Sequence, residues 1–208
     1  MTNLRFYIPV IGLLLLAVLL WRGLYLEQGK LPSVLIDKPM PEFAMTTVEG
    51  TPINNADLPS RMFLLNVWGS YCLPCLVEHP TFMRLAEEGE IPVVGVNYRD
   101  QQELALGWLD ENGDPYLFSI LDEDGRFGID LGVYGAPETY LVDKNGVIRY
   151  RHVSVLDETV WREEFLPAIA ALNADATLNA DAAPNADAAP NVDAAPNVDA
   201  APNADAAN

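Results

Sequence analysis

Residues 63–75 read Phe-Leu-Leu-Asn-Val-Trp-Gly-Ser-Tyr-Cys-Leu-Pro-Cys, an almost continuous apolar run that leads, three residues later, to two cysteines separated by two positions. A short apolar run of this kind is the pattern of a central strand buried on both faces. The stretch behind the cysteines reads as a helix to about Glu88, with Pro80 expected to bend it. Ile91–Asn97 reads as a second buried strand. A strand, a helix and a strand in this order imply a right-handed parallel unit, which confines the chain to the α/β class.

The remaining elements extend that unit. Asp100, with Glu103 three residues later, has the form of a capping box and is expected to open a helix that turns Leu104, Trp108 and Leu109 inward and stops at Gly113. Leu117–Leu121 reads as a further short strand. Glu138–Val142 and Val147–His152 flank Asp143-Lys144-Asn145-Gly146, a turn signal suited to an antiparallel hairpin. A last helix from about Glu158 should present Trp161, Phe165, Ile169 and Leu172 on one side, with Pro167 able to split it. Residues 31–172 are long enough for one core-bearing domain.

Either side of that domain the composition changes. From Phe6 to Trp21 run sixteen uncharged, largely apolar residues flanked by Arg5 and Arg22. About twenty such residues cross a bilayer core, and terminal arginines can snorkel. No pair of small residues suited to a cleavage site follows the run, so residues 1–30 are expected to be a retained single-pass anchor. Its flanking charges nearly balance and do not set its orientation.

At the other end, residues 173–208 are six hexamers, most of them reading Asn-Ala/Val-Asp-Ala-Ala-Pro. Proline at every sixth position of the central units forbids a continuous helix, and no unit has the apolar surface to offset its ordering entropy. This tail is expected to be disordered, either a spacer or partner-binding segment or a repeat tolerated at a chain end. It holds six aspartates and no cation. The chain as a whole has 12 Lys+Arg against 30 Asp+Glu, a net charge of −18. The cationic surface that nucleic-acid binding needs is absent, so no nucleic-acid partner is expected.

A Cys-x-x-Cys at a strand-to-helix junction has a definite chemical use. The first thiol lies at the helix N-terminus, where unpaired N–H groups and the helix dipole stabilise a thiolate, and the second sits one turn on within bonding distance. Cys72 is then the exposed nucleophile and Cys75 the resolving thiol, and the pair can pass two electrons through a mixed disulfide with another protein. A purely structural disulfide is the plain alternative, yet so small a loop constrains the unfolded chain very little. Zinc would need two further ligands, for which only His79 and His152 are available besides carboxylates. Asp122-Glu123-Asp124-Gly125 resembles part of a calcium loop but lacks carboxylates at its first and last positions, and reads as a turn.

The chain here resembles the thioredoxin superfamily, and within it the membrane-anchored thioredoxin-like proteins of bacterial cytochrome c maturation, the CcmG/DsbE type. The resemblance is carried by Leu64-Leu65-Asn66-Val67-Trp68, by Cys72-Leu73-Pro74-Cys75 with Glu78-His79-Pro80, and by Gly132 to Tyr140, which reads Gly-Val-Tyr-Gly-Ala-Pro-Glu-Thr-Tyr. It covers about residues 38–172. It implies a thioredoxin fold, a mixed central sheet with helices on both faces, behind one N-terminal transmembrane helix. It also implies a cis proline at Pro137 beside the nucleophile, exposing backbone for substrate pairing. Asn66 stands where thioredoxin has a buried proton-shuttling aspartate, and Tyr71 where a Trp usually precedes the first cysteine. The repeat tail has no counterpart.

The resemblance implies a disulfide reductase on the periplasmic side of a bacterial inner membrane. Its client would be apocytochrome c, or a partner holding it, and its electrons would come from a membrane thiol-disulfide transporter of the DsbD/CcdA type. No bound cofactor or metal is required. Besides Cys72 and Cys75, the candidate redox-tuning or substrate-positioning residues are Tyr71, Pro74, Glu78, Pro137 and Glu138. Glu78 follows Cys75 by one helical turn and Glu138 follows Pro137, so both carboxylates are expected near the thiols. There they would raise the thiol pKa and favour a reductant. His79 is a packed or surface histidine, or a neighbour of the site. Rival readings are an anchored reductase with other clients and a Sco-type copper chaperone, although the latter family has three residues between its cysteines and lacks the proline. A peroxiredoxin-like pattern fails at Gly69 and Leu65.

Overall fold

The structure, a computed structural model, describes residues 4–24 and 35–181. In chain order the elements are α1 (Leu4–Leu24), β1 (Lys38–Pro39), β2 (Ala44–Thr46), β3 (Pro52–Asn54), β4 (Phe63–Trp68), α2 (Leu73–Glu88), β5 (Val93–Tyr98), α3 (Gln102–Asn112), β6 (Ser119–Asp122), α4 (Arg126–Asp130), β7 (Glu138–Val142), β8 (Val147–Val153), α5 (Glu158–Val160), a π-helical turn (Trp161–Phe165) and α6 (Leu166–Asp181).

Six strands form one mixed sheet in the order β1-β8-β7-β4-β5-β6. β4 pairs in parallel with β5, and β5 with β6, as strands joined by helical crossovers do. β7 closes against β4 antiparallel, with Val67 opposite Glu138, and β8 follows as a hairpin. β4 is buried throughout because it has a neighbour on each edge and layers on both faces. Phe63, Leu65 and Val67 point into a cluster with Phe43, Val96, Ile120, Phe127 and Tyr140, on the side carrying α4 and the β2–β3 hairpin. Asn66 and Trp68 point the other way, Asn66 to Glu78 of α2 and Trp68 to Trp108 of α3. The expected mixed α/β thioredoxin-like sheet with helices on both faces is present.

Some local expectations give way. β1, β2 and β3 have no counterpart in the sequence reading. Helix α3 begins at Gln102, without a side-chain cap, and it buries Ala105 and Leu109 while Leu104 is exposed and Trp108 half-buried. Asp100 forms no capping box, because its carboxylate is engaged elsewhere.

Two compact units are distinguished, Met1–Ala168 and Ile169–Asn208. In the second, α6 runs on to Asp181, past Leu172, since the first hexamer has no proline. The hexamers beyond Asp181, where disorder is expected, lie outside the described residues. In α1 the described side chains, Pro9 to Arg22, are all exposed. Among the described residues no helix is long and apolar enough to cross a membrane.

Candidate functional site

β4 ends at Trp68 and the chain turns at once. The Cys72 N–H donates to the Gly69 carbonyl at 3.1 Å, closing a β-turn that delivers Cys72 as the N-cap of α2. Gly69 allows the Tyr71 ring to fold back over this turn, since a Cβ there would lie 2.7 Å from Tyr71 Cε1. Pro74 is exposed in the first turn of the helix, where a missing N–H is no loss. Cys72 and Cys75 are joined in a disulfide, and the Cys75 N–H also donates to Cys72 Sγ at 3.2 Å. Cys72, expected to be exposed, is 6% exposed and Cys75 2%, so both cysteines are buried in the disulfide form, Cys72 slightly the less. Cys72 also sits at the positive end of α2, where a thiolate is stabilised once the bond opens.

One turn beyond Cys75, Glu78 points inward and is fully buried. Asn66 Nδ2 donates to Glu78 Oε1 at 2.8 Å, and the Leu156 N–H donates to Oε2 at 2.9 Å. Burial outweighs these two bonds and pushes the Glu78 carboxyl up to about 7. Asn66 is held in turn. Its Oδ1 accepts from the Tyr116 hydroxyl at 2.9 Å, and its Nδ2 also reaches Thr139 Oγ1 at 3.3 Å. Complete burial drives the Tyr116 hydroxyl well above its usual range, so it stays a proton donor. Tyr116 stacks on Trp68, whose indole N–H donates to Ser119 Oγ at 2.8 Å. The layer under the helix is therefore a closed polar network inside an aromatic wall.

Glu138 is differently placed. Its neighbour in β7, Thr139, faces Asn66, so Glu138 faces the opposite side of the sheet, with Tyr140. Glu138 Oε2 accepts from Arg151 Nη2 at 2.7 Å, Arg151 Nε at 3.0 Å and the Tyr140 hydroxyl at 2.8 Å, while Oε1 accepts from the Tyr134 N–H at 2.7 Å. Glu78 and Glu138 are not brought together, and the charge of Glu138 is matched by a buried arginine. Pro137 is buried and its bond to Ala136 is cis. The register of Val67 with Glu138 places it at the end of the sheet from which Cys72 departs.

Tyr71 is exposed, but its hydroxyl donates to the Tyr98 carbonyl at 2.9 Å. Partial burial, and then the nearby Asp100 carboxylate, raise its pKa. His79 is committed to α3. It meets Trp108 edge-on at 4.6 Å and its Nε2–H donates to the Asn112 carbonyl at 3.2 Å, while burial lowers its pKa.

Asp100 is the site neighbour that sequence reasoning missed. Its carboxylate accepts from the Ser70 N–H at 2.6 Å, the Ser70 hydroxyl at 2.8 Å, Asn97 Nδ2 at 2.9 Å and the Gln101 N–H at 2.9 Å. The spacing to Glu103 gave a competing local explanation, and no sequence signal ties residue 100 to residue 70. Among the described residues no group of three or more His, Cys, Asp or Glu is arranged to hold a metal ion.

The chain is similar to known proteins. The Redoxin family matches residues 36–166. The thiol:disulfide interchange protein DsbE of Pseudomonas aeruginosa is 49% identical over 162 residues, covering 77% of this chain and 89% of that protein. The protein of the same name from Escherichia coli is 44% identical over 165 residues, covering 76% and 89%. Among solved structures, a secreted thiol-disulfide isomerase from Corynebacterium glutamicum superposes with a TM-score of 0.54 at 26% identity, covering 62% of this chain and 84% of that one.

Proposed function

The chain belongs to the redoxin family, among the DsbE-type thiol:disulfide interchange proteins, and from that premise we propose that it is a membrane-anchored periplasmic reductase whose clients are the disulfides of apocytochrome c or of a partner holding it. It is a thiol:disulfide oxidoreductase with Cys72–Cys75 as its redox disulfide. The further step, the direction of electron flow, rests on Glu78.

In the dithiol form Cys72, as thiolate, attacks a client sulfur. The client's disulfide breaks, a Cys72–client bond forms, and the departing client sulfur takes up a proton. Cys75 then gives up its proton and attacks Cys72 Sγ, which closes the Cys72–Cys75 bond and releases the second client thiol. Two electrons reach the client and the protein is left oxidised. A carboxyl that titrates near 7, one turn beyond Cys75, is negative above that pH and opposes thiolate formation beside it. A disfavoured thiolate makes the dithiol a better donor. This buried acid is the observation that carries the reductant reading.

Return of electrons would come from a membrane thiol-disulfide carrier of the DsbD/CcdA type. The run from Phe6 to Trp21 between Arg5 and Arg22 supports an anchor. The test is trapping: Cys75→Ala leaves the mixed disulfide on Cys72 unresolved, and the captured client should carry a Cys-x-x-Cys-His haem site or be a protein that binds one. Capture of only unrelated periplasmic thiol proteins would favour an anchored reductase of other clients.

A further inference from the structure

The β-turn from Gly69 to Cys72 has two central residues, Ser70 and Tyr71, and both are tied to a single short segment at the exit of β5. Ser70 gives Asp100 its backbone N–H and its hydroxyl, and Tyr71 gives Tyr98 its phenolic hydrogen. That segment is fixed in its own right. Asn97 Nδ2 donates to Asp100, and the Arg99 N–H donates to the Asp122 carbonyl of β6 at 2.8 Å. Arg99 has a φ of 51°, a left-handed conformation uncommon for a residue with a side chain. This bend lies between the two residues that grip the turn, Tyr98 and Asp100, and its cost is offset by the bonds it permits.

We propose that Asp100 is a positioning residue for thiol exchange: by clamping Ser70 it holds Cys72 within closing distance of Cys75 when the disulfide is open, and so sets the effective concentration of one thiol at the other. Two groups held in reacting geometry close far more readily than two that must find each other. Cys75 is fixed by α2, whereas Cys72 is the N-cap and takes its position from the turn before it. A turn freed from Asp100 would let Cys72 move away in the dithiol form, which weakens the disulfide relative to the dithiol. Asp100 acts through Ser70 and exchanges nothing itself. The inference rests on Cys72 as the exchanging sulfur.

The experiment separates closure from the properties of Cys72 alone, with glutathione as the probe. In closure the Cys75 thiolate attacks Cys72 Sγ, the Cys72–Cys75 bond forms, the Cys72–glutathione bond breaks, and glutathione leaves with the proton Cys75 gave up. Asp100→Ala should lower the closure constant by about tenfold, equivalent to about 30 mV for this two-electron couple. In a Cys75→Ala background the same change should leave the equilibrium between Cys72 and glutathione unaltered. Ser70→Ala, which removes the hydroxyl but keeps the backbone bond, should move closure in the same direction by less, and it keeps the test open if Asp100→Ala does not fold. An unchanged closure constant in both variants would overturn the clamp. So would an equal change in the Cys75→Ala background, which would mark Asp100 as a charge acting on the Cys72 thiolate. If Cys72 forms no mixed disulfide in that background, the assignment of the exchanging sulfur fails, and the inference with it.

Discussion

Glu78 and Glu138 stand on opposite faces of the central sheet, Glu78 bonded to Asn66 beneath α2 and Glu138 paired with Arg151 on the far side. The two carboxylates therefore do different work. Glu78 is buried without a cation among its bonded partners, and its protonation is left to the pH. Glu138 is ion-paired with Arg151 where it lies and ties the Tyr134 amide, two residues before Ala136, to β8.

The first prediction concerns redox chemistry. Glu78→Gln should lower the Cys72 pKa and make the reduction potential less negative, by about 30 mV for each pKa unit. Because Glu78 itself titrates near 7, the difference from the parent protein should be full at pH 8 and fade below pH 6. Thiolate absorbance and glutathione equilibration at both pH values check it, and a shift independent of pH would remove the charge of Glu78 as its cause.

Stability carries the same signature. The folded-state carboxyl of Glu78 lies above its ordinary value of 4.5, so the folded protein holds this proton more tightly than the unfolded chain. The resulting stabilisation is full below about pH 4.5 and is lost as pH rises through 7. At about 1.4 kcal/mol per pH unit this is on the order of 3 kcal/mol. Denaturant unfolding of the oxidised protein from pH 4 to 8 should show the decline, and Glu78→Gln should flatten it.

Glu138→Gln should act on the fold rather than on the thiols. It leaves Arg151 buried with its charge unmatched, a change that costs about 3–5 kcal/mol where such pairs have been broken. The melting temperature should fall clearly while the Cys72 pKa stays within a few tenths. Glu138→Gln with Arg151→Met removes both charges and should recover part of the loss.

Truncation after Leu172 should leave the melting temperature and the exchange rate unchanged. Among the described residues the buried apolar core ends at Phe165, and the repeats add little that could bury. A loss of either property on truncation would show that the hexamers support the domain.

Orientation can be read directly. A dithiol with directed electron supply suits an oxidising compartment, so an alkaline phosphatase fused after residue 208 should be active and a reporter that works only in the cytoplasm should be silent.

The disulfide was legible in the sequence because its evidence is local: an apolar strand, a tight turn and two cysteines one helical turn apart. Glu78 was legible as a neighbour of Cys75 for the same reason, yet its raised pKa comes from the burial that the assembled sheet provides, against the lowering effect of the bonds from Leu156 and Asn66. Glu138 was expected at the thiols from its position after Pro137. Strand alternation sends it to the other face once Thr139 is committed to Asn66. Its partner Arg151 lies opposite Tyr140, in a hairpin with a register shift between Leu141 and Val142 that turn residues alone do not disclose. For Asp100 a local pattern misled: Asp-x-x-Glu is a helix-start signal, but donors on Ser70 and Asn97 outcompete the cap. Leu104 was expected inside with Trp108 and Leu109, and the helix that forms buries Ala105 and Leu109 while leaving Leu104 exposed.

The long reach of the bonds that hold Glu78 has a consequence in time. The cysteines are three residues apart and can pair as soon as both have been synthesised, whereas the Leu156 amide that caps Glu78 is 78 residues downstream and Thr139, which braces Asn66, is 73 residues from it. Contacts so distant along the chain form late. A nascent chain carries its thiol pair before Glu78 is buried. Until the sheet that buries it is assembled, Glu78 is a solvated carboxylate.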